Sequence, residues 1–420
     1  MRACILAVGD ELLDGRTVDT NSPFLAGRLL ELGIPVVRTM VLGDGLPALV
    51  EGLRQAAGLA QLLLVSGGIG PTEDDRTRQA VAELAGLELG EDPGAWDEIR
   101  AYFETRGRHA AEANRRQALF PEGARQLRNR VGTAPGFELP LGTGKRIFVL
   151  PGVPSEARAM FDRCVRPRLE ALRGEESRQQ LVQRTLAFSG VSESELGGEL
   201  APFLREDAEL RVGITASYGL LRVTVRARGT NARDVEARIR DCLEEIKQRG
   251  ARWYLGEGRG ELEDFLVAEL VERNLTVALA ESCTAGLVTA RLGRVPGVSA
   301  VLLEGLVSYA NASKTRLLGV SEELLEQHGA VSEAAARAMA QGVARASGAR
   351  LGASVTGVAG PTGGTAAKPV GLVWLATSLD GKLRVLERRY GELARRHVQE
   401  RASSDLLILM QRTVRAAETP

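Results

Sequence analysis

In the stretch TVALAESCTAGL, residues 276–287, an apolar run ends and Ser282, Cys283 and Thr284 follow in a row. A serine at such a junction can attack a carbonyl carbon if a base takes its proton and if N–H groups at the start of a following helix hold the oxyanion. The pattern predicts a helix opening near Cys283, which puts Ser282 at its N-terminus. Serine is also a common N-cap, so the stretch alone leaves both roles open, and Cys283 reads as buried structure. Histidine does not supply the base. His109 sits among arginines, His328 precedes Gly329 and His397 lies on an exposed-looking helix, so a Ser-His-Asp triad lacks members. Only five of the 54 basic residues are lysines (Lys145, Lys247, Lys314, Lys368 and Lys382). A desolvated lysine can lose its proton where arginine cannot. Lys314 follows a strand-like run ending at Tyr309, and Lys368 lies in a glycine-rich loop. Serine with lysine is the pair to expect, although spacing does not show that the two meet.

A second cluster lies in VSGGIGPTEDDRT. Gly67, Gly68 and Gly70 let backbone N–H groups approach an anion, and a helix predicted from Asp74 would aim its positive end at the same point. Asp74 and Asp75 then either cap that helix or bind the divalent cation that accompanies a pyrophosphate. Asp10 and Glu11 follow the first apolar run, Asp44 the second, and Glu156 another. In an open parallel sheet these ends share the edge where ligands bind. Together they point to a metal-assisted nucleotide site.

The elements that must position these groups alternate. ACILAV, VVRTMVLG, QLLLVSGG and IFVL are apolar runs separated by helical patterns, which predicts a doubly wound parallel α/β sheet over residues 1–173. LRGEESRQQ (172–180) and GEGRGE (256–261) read as linkers around a small α+β unit, 174–254. A second alternating α/β region covers 255–420. A chain of 420 residues accommodates three such domains. Lys+Arg and Asp+Glu balance at 54 each without long runs of one sign, which gives no reason to expect binding to nucleic acid or to an anionic membrane. Four scattered cysteines, no CxxC pair and no apolar run of membrane-spanning length point to a cytoplasmic protein.

Seven segments in order, GDELLDGRTVDTN, GGIGPTEDDRT, NRVGTAPGF, LPGVPSE, AESCTAG, YANASK and VTGVAGPTGGTAAKPVG, resemble the CinA family of competence- and damage-inducible proteins across nearly the whole chain. The resemblance implies a MoaB/MogA-like molybdopterin-binding N-terminal domain and a K-homology-like middle domain. It also implies a C-terminal amidase that converts nicotinamide mononucleotide to nicotinate mononucleotide and ammonia. By the same resemblance the catalytic residues are Ser282, Tyr309 and Lys314, with Lys314 acting through the Tyr309 hydroxyl and N–H groups near Thr284 and Ala285 holding the oxyanion. Substrate contacts fall on Gly357, Gly360, Gly363, Gly364, Lys368 and Arg395. In the N-terminal domain the nucleotide would meet Gly9, Asn21, Gly67, Gly68, Gly70, Pro71, Thr72, Gly132, Thr133 and Pro135. Hydrolysis of ADP-ribose there would use a divalent metal such as Mg or Co. Binding of a pterin or nucleotide without turnover is the alternative, and a DNA-uptake accessory role a more distant one. Relatives also suggest a homodimer. Ala285, Ala310 and Thr362 depart from the glycine, serine and aspartate that relatives carry.

Overall fold

The apolar runs at the start of the chain form strands buried on both faces, as strands covered by helices on either side require. In the computed structural model, which describes residues 1–142, 144–172, 180–204, 209–229 and 231–416, Ala3–Val8 and Leu62–Ser66 are buried along their whole length. Most of the 172–180 linker, residues 173–179, lies outside the described residues. The six-stranded sheet runs in the order Val36–Leu42, Ala3–Val8, Leu62–Ser66, Arg146–Leu150, Gly136–Pro140, Arg125–Leu127. The first four strands are parallel, Gly136–Pro140 pairs antiparallel with Arg146–Leu150, and Arg125–Leu127 pairs antiparallel with Gly136–Pro140. The all-parallel expectation is thus corrected at one edge. The short link from Pro140 to Arg146 has no room for the dozen or more residues that a parallel crossover needs. Alternation divides the core. Cys4, Leu6, Leu63 and Val65 face Leu49, Leu53 and Val81, while Ile5, Leu62 and Leu64 face Leu25, Leu29 and Phe161.

The chain divides into two compact units, residues 1–182 with 228–235, and residues 183–227 with 236–420. A four-stranded sheet, in the second unit except for residues 180–182 and 228–229, orders Leu210–Ser217, Leu220–Gly229, Gln180–Ser189 and Tyr254–Glu257. A separate five-stranded sheet orders Leu302–Val307, Val277–Glu281, Leu351–Gly357, Leu372–Leu379 and Lys382–Arg389. Its first three strands are parallel, and the last two close through Asp380-Gly381, both at positive φ, the hairpin turn that matches strand twist.

Side-chain parity along Val277–Glu281 matters most for the site. Val277 and Leu279 pack with Leu262, Leu266, Val398 and Leu406, whereas Ala278 and Ala280 pack with Leu318, Met339 and Val343 on the opposite face. The period of two continues past the strand end. Glu281 therefore takes the first side. Ser282 is directed to the second, where the helix Asn311–Leu318 carries Lys314. No helix among the described residues is long and apolar enough to cross a membrane.

Candidate functional site

Ser282 and Lys314 meet. The Lys314 Nζ lies 3.1 Å from the Ser282 Oγ, 2.8 Å from the Ser308 carbonyl oxygen and 3.1 Å from that of Tyr309. The lysine is wholly buried, Ser282 is 8% exposed, and no carboxylate pairs with the amine among the described residues. Burial pushes the Lys314 amine below its ordinary pKa, and nearby Cys283 offsets this only in part. An ammonium would donate to all three oxygens. A neutral amine has two hydrogens and one lone pair. With both carbonyls taking the hydrogens, the lone pair is left for the Ser282 hydroxyl proton.

The expected bridge through the Tyr309 hydroxyl is corrected. Tyr309, 56% exposed as a residue, offers Lys314 its backbone carbonyl, while its phenol accepts from the Arg395 guanidinium at 2.7 Å. Direct serine-lysine contact leaves no gap for a relay. Arg395 also donates to the Gly360 carbonyl at 2.9 Å, which ties the glycine-rich loop to the start of the helix Arg395–Arg415. Lys368 donates to the His328 carbonyl at 2.6 Å and not to the serine. Gly357 and Gly364 permit close packing, since a Cβ at either would press on Val373 or Val370. Gly360 and Gly363 adopt positive φ.

The helix after Ser282 begins at Leu287, not near Cys283, and is only six residues long. Residues 282–286 form a tight turn in which the Ala285 N–H donates to the Ser282 carbonyl, so Ala285 is not an oxyanion donor. The N–H groups of Cys283 and Thr284 remain without a partner among the described residues. A residue missed at the sequence level builds this turn. The wholly buried Glu281 carboxylate accepts from the Thr284 hydroxyl (2.7 Å), the Gly286 and Val288 N–H groups (3.0 and 3.1 Å), and the Thr289 N–H and hydroxyl (both 2.7 Å). Gln399 was missed as well. It donates to the Cys283 carbonyl at 2.8 Å, and because a trans peptide points its N–H opposite its C=O, this bond also fixes the direction of the Thr284 N–H. Adjacency to Ser282 was a signal for Glu281, whereas nothing in the sequence marks Gln399. Ala310 is the N-cap of the Lys314 helix and makes no capping bond, a bond that serine could provide.

The N-terminal cleft forms at the C-terminal ends of the parallel strands, with a volume of about 490 Å³. It gathers Gly9, Glu11, Asp44, Gly67, Gly68, Gly70, Pro71, Asp74, Asp75, Thr133 and Glu156. Gly67 is glycine of necessity, with φ 108° and the Val8 carbonyl where a Cβ would stand. Asp10, Thr72, Gly132 and Pro135 do not line the cleft. Nor does the buried Asn21, which donates to Ser66 Oγ and the Gly152 carbonyl, both at 2.8 Å. The helix expected from Asp74 begins at Thr77, because Asp75 turns back to cap the Thr72 N–H at 2.9 Å. Burial raises the Asp44 carboxyl, with repulsion from Asp10, Glu11 and Asp74 adding to it, and burial also raises Glu156. The missed Arg78 is buried under the glycine loop, donating to the carbonyls of Ile69, Gln117 and Pro135 at 2.7, 3.1 and 3.2 Å, and burial lowers it to about 9.

The carboxylates do not fit a metal held by the protein alone. Asp10 and Asp44 each accept the other's backbone N–H (3.1 and 3.0 Å), Asp75 caps Thr72, and Glu156 accepts from Asn129 at 2.6 Å. Among the described residues no three Asp, Glu, His or Cys side chains converge on a point.

Comparisons with known proteins agree with this layout. Residues 4–171 match the family described as "Probable molybdopterin binding domain", 183–256 "Damage-inducible protein CinA KH domain", and 259–414 "CinA C-terminal domain". A CinA-like protein of Anaeromyxobacter dehalogenans is 41% identical over 99% of this chain and 100% of its own. One from Syntrophus aciditrophicus is 40% identical over the full length of both. The solved competence/damage inducible protein CihA from Agrobacterium tumefaciens is 38% identical over 37% of this chain and 97% of its own, with a TM-score of 0.36. With a molybdopterin-binding-type α/β domain, a KH domain and a CinA C-terminal domain in series, the chain belongs to the CinA family.

Proposed function

We propose that the C-terminal domain is a serine-lysine amidase that hydrolyses the carboxamide of nicotinamide mononucleotide. The observation that carries this reading is the buried Lys314 amine, 3.1 Å from the Ser282 hydroxyl, with two carbonyls to occupy its hydrogens and no carboxylate among the described residues to hold it charged. Ser282 Oγ attacks the amide carbon while Lys314 takes its proton, and the Cys283 and Thr284 N–H groups receive the oxyanion. The resulting ammonium returns the proton to the leaving nitrogen, ammonia departs, and water activated by the same amine releases nicotinate mononucleotide. Arg395, held over the loop by Gly360 and Tyr309, is the proposed phosphate partner. Ammonia release from nicotinamide mononucleotide tests the reading. Ser282→Ala and Lys314→Arg should each lose about 100-fold or more in kcat, since arginine keeps the charge but cannot serve as base. Near-normal turnover by either variant rejects it.

For the N-terminal cleft, the family resemblance suggests metal-dependent hydrolysis of ADP-ribose. The self-capping of Asp10, Asp44 and Asp75 favours a second reading, in which a nucleotide or pterin is bound without turnover.

A further inference from the structure

An open cavity of about 800 Å³ lies between the edge strand Arg125–Leu127 and the helical segment Phe161–Leu172, and shares no lining residue with the nucleotide cleft. Five arginines line it (Arg125, Arg128, Arg130, Arg163 and Arg168) against one carboxylate, Glu138. That carboxylate is already committed. Glu138 is 2% exposed and pairs with Arg146 at 2.6 Å and Arg168 at 3.0 Å. Arg128 pairs with Glu98 at 2.6 Å. Arg125, Arg130 and Arg163 are exposed and have no ion-pair partner among the described residues. The same three guanidiniums lie near the Cys164 sulfur. Burial holds that thiol above its usual range, and Arg130, Arg163 and Arg125 pull it back down. Three positive charges with no ion-pair partner among the described residues thus line one concave site together with the sulfur, and their mutual repulsion falls when an anion enters.

We propose that this cavity binds a small phosphate-class oxyanion carrying two or more negative charges, held by Arg125, Arg130 and Arg163. Guanidinium forks match phosphate oxygens in pairs, and the volume falls within the range of small-molecule sites, about 300–1,000 Å³. The charges form a pocketed cluster and not a stripe, and the chain's net charge is zero, which favours a small ligand over a nucleic-acid strand.

Cys164 provides a local readout, because Cys4, Cys242 and Cys283 are buried and Cys164 is not. Alkylation of the native full-length protein by iodoacetamide should slow saturably with added inorganic pyrophosphate, and the protection should fade as salt rises. Arg130→Gln and Arg163→Gln, at exposed positions outside the core, should each raise the pyrophosphate concentration for half-protection about tenfold. The ratio of rates with and without pyrophosphate is the quantity to compare, since losing an arginine also changes the thiol itself. Unprotected Cys164 in the wild type, or equal protection in wild type and variants, overturns the proposal. So does protection by a single-stranded oligonucleotide at concentrations where pyrophosphate has no effect, which would instead make this a nucleic-acid surface.

Discussion

Two hydrogens and one lone pair set the behaviour of Lys314. Because burial lowers its pKa, the amine loses its proton at a lower pH than an exposed lysine, near 10.4. A base works only in its deprotonated form, so kcat/KM for amide hydrolysis should rise with pH along a limb whose midpoint lies below the ordinary lysine value. Tyr309→Phe should leave that limb and kcat in place. The lost phenol contact is with Arg395, so the expected cost is a KM increase of about tenfold or less. A hundredfold fall in the kcat of Tyr309→Phe would restore the phenol as a proton relay. Lysine scarcity and the junction before Ser282 made the serine-lysine pair legible in the sequence. Glu281 was not legible in the same way, because its role depends on complete burial among five donors, and a glutamate letter does not report burial.

At the scale of the element, apolar periodicity marks where a helix can run but not how many residues of turn precede it. Four residues separate the expected start near Cys283 from the observed Leu287, and that interval holds the two unpartnered N–H groups. Ala285 occupies it at φ 53°, a left-handed conformation that costs a residue with a Cβ about 1–2 kcal/mol. Glycine removes that strain but gains freedom when unfolded, worth about 0.4–1 kcal/mol. Ala285→Gly is therefore expected to stabilise the protein by about 1 kcal/mol or less while keeping kcat, and chemical denaturation read beside the ammonia assay checks both. A drop in stability would mean that the methyl packs usefully in the turn. The antiparallel edge of the first sheet escaped the sequence reading for a related reason. RQL is too short to carry a pattern, GFELP is broken by a glycine, a glutamate and a proline, and the direction of GFELP is set by the tight link to Arg146.

For the whole molecule, the proposed amidase site and the N-terminal cleft fall in different compact units. Calorimetric titration should give the same ADP-ribose affinity for wild type and Ser282→Ala, without a requirement for added Mg or Co. AMP production on adding either metal would instead support the hydrolase reading. The convergence of carboxylate loops on one sheet edge was legible, because strand ends in an alternating α/β chain share that edge. Their capping of one another was not, since it depends on contacts between distant loops such as Asp10 with Asp44. The alternation along Val277–Glu281 has a consequence for how this chain can change over time. Removing or adding a single residue there would swap the two faces, turning the acid toward the amine's helix and the alcohol away from it, so substitutions along the strand are survivable where changes of length are not.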